Sequence, residues 1–161
     1  MDNNTNIEKP KKTAAIKAFL DRKNVVFSAK RYGIDALGAM AQGLFCTLLV
    51  GTILNTIGQQ FGIAFLNTAV VELKSGADVV LSYTIGGLAS LMVGSGIAVA
   101  IGFALKAPPL VLFTLIPVGF AANLMGGAGG PLAVYFVAII ACECGKLVSK
   151  ETKIDILVSP I

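Results

Sequence analysis

The chain has 161 residues, of which 55% are apolar and only 14% charged, and its mean hydropathy is +0.81. Soluble domains carry about 25% charged residues, and a domain this small still shows much of its surface to water. An ordinary soluble enzyme is therefore excluded. There is no histidine, which removes His-based acid–base chemistry, His metal sites and any phosphohistidine step on this chain.

The first 32 residues are basic. They hold Lys9, Lys11, Lys12, Lys17, Arg22, Lys23, Lys30 and Arg31, eight of the 13 bases. Within them Ile16, Phe19 and Leu20 recur at helical spacing, with Lys17, Arg22 and Lys23 on other faces. That pattern predicts a helix lying on an anionic membrane surface. The basic head is too long for a secretory signal and no cleavage-like site follows it. No nucleic-acid-binding fold motif accompanies it, so nucleic acid is not expected as a partner.

Four apolar stretches follow, each read as a membrane crossing. Residues 34–57 contain one acid, Asp35, and no base, and are long enough to span. Residues 80–105 form the second, 108–124 a short third with Pro109 and Pro117, and 131–148 the fourth. With the N-terminus cytoplasmic, the inner segments hold the eight early bases plus Lys106, Lys146, Lys150 and Lys153, twelve in all, against Lys74 outside. Inner excess of this kind sets orientation. The expected fold is thus all-α: a polytopic transmembrane helix bundle of about four spans in the cytoplasmic membrane. The expected division is a basic segment over 1–32 and a membrane domain over 33–161. The tail 154–161 is apolar again, either the first turns of a fifth span or a strip lying on the membrane.

Helices in lipid associate through small residues. One ridge at four-residue spacing is Ala39, Gly43, Thr47 and Gly51; a second is Ser82, Gly86, Ser90, Gly94, Ala98 and Gly102. Such ridges predict close helix contact, and they also allow a second copy of the chain to pack as a homo-oligomer. Between the first two spans, residues 59–78 read as an interfacial or re-entrant helix or as a loop. Lys106-Ala107-Pro108-Pro109 reads as a turn, with proline opening the next helix.

The run Asn123-Leu124-Met125-Gly126-Gly127-Ala128-Gly129-Gly130-Pro131 places four glycines before a proline-started helix. It is either a tight outer turn or a broken, re-entrant segment whose free N–H groups face a polar ligand. It is not a Walker loop, having no Lys-Ser/Thr. On the second alternative, Gly126, Gly127, Gly129 and Gly130 join Gln42 and Asn123 as candidate contacts to a neutral polyol. Asp35 and Glu143 are the acids at membrane depth and are candidates by position. Each also has a plain alternative: Asp35 at a helix start, Glu143 paired with Lys146 three residues on. Asn55 could contact the same polyol, and Gln42, Asn55 and Asn123 could equally bond neighbouring helices. Cys46, Cys142 and Cys144 read as small packing residues. No catalytic set, metal site or cofactor motif is visible.

Arg31-Tyr32-Gly33-Ile34-Asp35-Ala36-Leu37-Gly38-Ala39-Met40-Ala41-Gln42-Gly43-Leu44-Phe45 resembles the opening of the first span in bacterial phosphotransferase-system EIIC-like membrane proteins, a group that includes PfoR-type regulators. The 105–110 turn and the 126–131 loop resemble it too. The resemblance covers about residues 25–161 and implies the N-terminal half of a sugar permease subunit. Such a subunit moves a sugar or similar polar solute, which separate soluble phosphotransferase components phosphorylate. It also leaves open a membrane-embedded regulator or sensor, or a truncated remnant without transport of its own.

Overall fold

The structure is a computed structural model that describes residues 9–26, 28–75 and 78–149. Helix α1 (Lys9–Arg22) leads to a π-type turn (Arg31–Asp35) that runs without interruption into α2 (Ala36–Gln60). A single turn, α3 (Ala64–Asn67), precedes a hairpin of β1 (Val71–Ser75) and β2 (Asp78–Tyr83). Then come α4 (Ile85–Leu91), α5 (Val93–Ala104), α6 (Pro109–Gly126), one 3-10 turn (Gly127–Gly129) and α7 (Gly130–Val148).

The helices pack antiparallel in chain order. Gly43 of α2 lies on the Gly96 backbone of α5, and Gly51 lies on Gly86 and Ser90 of α4. Gly94 of α5 meets Gly119 of α6, and Gly102 meets Leu112 and Leu115. Gly130 of α7 meets Asn123, while Gly145 meets Val111. Any Cβ at Gly43, Gly94 or Gly119 would stand closer to a facing carbonyl oxygen than van der Waals contact allows. These contacts put backbone against backbone, which is how helices associate where no hydrophobic drive separates them from the solvent.

Large apolar side chains stand on the outside as well as in the core, where Ile97, Ile101, Leu105 and Leu115 are buried. The core contains Ala36, Ala39, Ala98, Ala122 and Ala138, whereas Phe45 (62%), Phe103 (77%), Phe113 (65%) and Phe136 (57%) stand exposed. A water-soluble monomer does not expose large apolar chains on this scale. Two segments are long and apolar enough to cross a membrane, Arg31–Gln60 and Pro109–Val148, and a third if the bent pair Ile85–Leu91 and Val93–Ala104 counts as one. The 40-residue segment Pro109–Val148 is itself folded back at Gly127, whose φ of 51 places it in the left-handed region.

The structure corrects the sequence reading in three places. The expected second span does not start at residue 80: residues 78–83 pair with 71–75 as a strand, in the register Val71↔Tyr83 to Ser75↔Asp78. A short apolar run rich in valine looks alike in a strand and in a buried helix. The six-residue ridge is not one helix face either. Ser82 lies in β2, and a 45° bend separates α4 from α5, so Gly86 and Ser90 face α2 while Gly94 and Ala98 face α6. Asp35, finally, sits inside a continuous helix and makes no side-chain cap. The glycine run 126–130 forms a compact turn between two packed helices. The C-terminal tail lies outside the described residues.

Candidate functional site

Two regions of the bundle gather polar groups. The first is the end where the residues before α2, the α5–α6 turn and the end of α7 come together. Lys146 is 1% exposed, although it belongs to α7's last turn. Its Nζ donates to Glu143 Oε1 at 2.8 Å, to the Asn24 carbonyl at 3.1 Å and to the Leu105 carbonyl at 3.2 Å. Glu143 Oε2 is also 2.8 Å from Nζ. The expected local pair is present, and it is buried. Arg31 donates to the same Leu105 carbonyl and, at 3.1 Å, to Asn24 Oδ1. Lys23 donates to the Ser149 carbonyl, and Tyr135 donates to the Tyr32 carbonyl at 2.7 Å. Leu105 and Ser149 end α5 and α7, so cations meet the negative ends of two helix dipoles.

Two chain reversals at this end share one design. After α1, Asn24 N–H bonds the Asp21 carbonyl and Val25 N–H the Leu20 carbonyl; after α5, Lys106 bonds Phe103 and Ala107 bonds Gly102 in the same way. These are Schellman closures, with Asn24 and Lys106 at φ 56 where glycine is the usual residue. Asparagine tolerates that conformation and lysine does so at a cost. Pro108 is extended and Pro109 opens α6, as expected for the turn.

A cavity of about 330 Å³ opens here, lined by Asn24, Val26, Ser28, Lys30, Arg31, Asp35, Ala104 and Lys106. A larger groove of about 410 Å³ runs between α2 and α5. Its walls are Ala39, Gly43, Cys46, Gly96, Val99, Ala100, Phe103, Ala104 and Leu112, with Gln42 and Thr47 as the polar members. Thr47 turns its hydroxyl to the Gly43 and Leu44 carbonyls of its own helix.

The second polar region runs from the start of α4 to its bend with α5. Thr84 caps α4 by accepting from Gly87 N–H at 3.2 Å, and donates to Asn55 Oδ1 at 3.1 Å. Ser90 lies on Gly51, Asn55 on Gly86, and Asn123 on both Gly94 and Gly130. Ser95 donates to the Ile116 carbonyl at 2.9 Å, one residue before Pro117, which removes a helical donor from α6.

The eight residues singled out from the sequence are thus spread over the molecule. Gln42 lines the apolar groove, Asp35 the basic cavity, Glu143 is held by Lys146, and Asn123 with Gly130 packs α6 onto α7. Gly127 and Gly129 are exposed in the turn. Sequence reasoning missed Lys146 as a buried hub, because its partners Asn24 and Leu105 lie more than 40 residues away. A signal was available: Asn24 and Lys106 both follow helix-ending patterns. Among the described residues no group of three His, Cys, Asp or Glu could hold a metal ion.

No curated protein and no solved structure matches the chain. A family model does, over residues 34–161: Phosphotransferase system, EIIC. That match covers α2 through α7 and agrees with a bundle whose large apolar chains face outward. The chain belongs to the phosphotransferase system EIIC family.

Proposed function

We propose that the chain is the solute-moving membrane component of a phosphotransferase permease, that it crosses the bilayer four times, and that its charged end faces the cytoplasm. The family match supports the class of activity. The orientation is supported by Lys23, Arg31, Lys106 and Lys146, which the fold gathers at one end, as an inner excess of bases requires. On this reading α4 with α5 is one interrupted crossing, and α6 and α7 are two.

One observation carries the placement of the solute: the 45° bend between α4 and α5. Interrupted helices are where carriers expose backbone groups to a polar substrate near the midplane. Ser90 and Asn123 flank that bend, and Asn55 of α2 faces Gly86 farther back along α4. Neutral amide and hydroxyl groups suit a neutral, hydroxyl-rich solute such as a sugar. With no histidine on the chain, phosphoryl transfer falls to soluble partner proteins. The regulator reading retains one supporting observation, the bonds from Lys23 and Arg31 that tie the basic segment to the helix ends.

The test is uptake of labelled sugars by liposomes holding the chain, supplied with soluble phosphotransferase components. Uptake that falls at least tenfold in Asn55→Leu and Asn123→Leu, with membrane insertion intact, supports the reading. Absence of uptake with every partner set overturns it. Removal of residues 1–22 separates the alternatives, since a carrier keeps uptake whereas a regulator loses its output.

A further inference from the structure

The basic cavity and the apolar groove are neighbours: Ala104 lines both. The cavity wall carries Lys30, Arg31 and Lys106 against one carboxylate, Asp35. Arg31 commits two N–H groups to Asn24 and Leu105 of the five that a guanidinium has. Lys30 and Lys106 are both exposed. Apart from Gln42 and Thr47, whose hydroxyl is turned to its own helix, the groove beyond Ala104 is walled by apolar side chains and backbone, a lining that offers a sugar few hydrogen bonds. A positive socket beside an apolar groove matches the polarity profile of a phospholipid with a negative head.

We propose that this composite site binds an anionic phospholipid, with the phosphate among Lys30, Arg31 and Lys106 and an acyl chain along the α2–α5 groove. The location fits, because the cavity sits where α2 begins and α5 ends, at the level where lipid headgroups meet helix termini. Basic pockets between spanning helices recognise headgroups in this way. Lys106 adds an independent observation. It occupies a left-handed position, φ 56, that glycine fills without cost. A lysine at such a strained position points to a use for its charge. The proposal rests on the membrane reading of the bundle and not on transport.

The experiment titrates the protein in neutral detergent with phosphatidylglycerol, with phosphatidylcholine and with inorganic phosphate, counting bound molecules by native mass spectrometry. Phosphatidylglycerol is expected to bind at least tenfold more tightly than phosphatidylcholine. Lys30→Gln and Lys106→Gln should each weaken it about fivefold, the worth of one base near an anionic headgroup. Lys106→Gly should weaken it equally while the protein melts higher, which separates lost charge from lost fold. Cys46→Trp fills the groove from an exposed position and should weaken phosphatidylglycerol while leaving inorganic phosphate unchanged. Equal binding of the two lipids overturns the proposal, as does indifference to both lysine variants. Inorganic phosphate binding as tightly as the lipid, with no effect of Cys46→Trp, overturns it in favour of a soluble phosphate site. Loss of sugar uptake with lipid selectivity retained would count against the transport reading alone.

Discussion

The two ends of the bundle solve the same problem with different chemistry. At one end Leu105, the last carbonyl of α5, receives both Arg31 and Lys146, and Glu143 balances the lysine. At the other end the Gly58 carbonyl near the close of α2 receives the Asn67 amide at 2.7 Å, and Asn55 with Thr84 joins α2 to the start of α4. Both ends bring side-chain donors to carbonyls near a helix terminus. One uses full charges, the other neutral amides. A buried charge is costly unless paired, whereas a lost amide leaves only an unmet hydrogen bond. The charged end should therefore be the brittle one.

The largest effect tests that directly. Lys146→Met leaves Glu143 buried beside an apolar chain and strips a donor from Leu105, and it should cost about 3–5 kcal/mol. Thermal melting in detergent reads it. The double variant Glu143→Leu with Lys146→Met should recover most of the loss, because no lone charge remains. If the double is as unstable as the single, the pair is not what makes this end brittle.

Between the two ends the helices meet through glycine, and there the expected loss is smaller. Gly119→Ala drives a methyl into the Gly94 carbonyl and the Ala98 side chain, an overpacking worth about 1–3 kcal/mol. Smaller again is Asn67→Ala at the neutral end, about 0.5–1.5 kcal/mol for one hydrogen bond. A loss at Asn67 that equals the loss at Lys146 would erase the contrast between the ends.

How much of this was legible in the sequence depended on the range of the interaction. The runs that became α2, α6 and α7 are predominantly apolar, and their limits fell within a few residues of the helices. Glu143 with Lys146 was visible as a three-residue spacing, but its burial was not, since the carbonyls that hold the lysine come from distant turns. The bend at Met92 was hidden because Gly86, Ser90, Gly94, Ala98 and Gly102 keep a perfect four-residue spacing across it. Spacing reports which residues are small, and each half of that ridge found a different partner. The candidate site was least legible, for the basic cavity brings Asn24, Arg31 and Lys106 together from distant turns, and the groove beside it is walled mostly by residues with no polar side chain to draw notice.

The smallest effect has the opposite sign. Lys106 and Asn24 close their helices by the same pair of bonds, and only the lysine occupies the left-handed position without a short polar side chain to ease it. Lys106→Gly should raise stability by about 0.5–1 kcal/mol, whereas Asn24→Gly should give no gain, because Asn24 also anchors Arg31 through Oδ1 and glycine removes that acceptor. The charged end would then hold two left-handed residues kept for different reasons. Asn24 serves the fold, and Lys106 strains it to hold a charge at the cavity mouth. Equal gains from both substitutions would mean that neither side chain is needed where it stands.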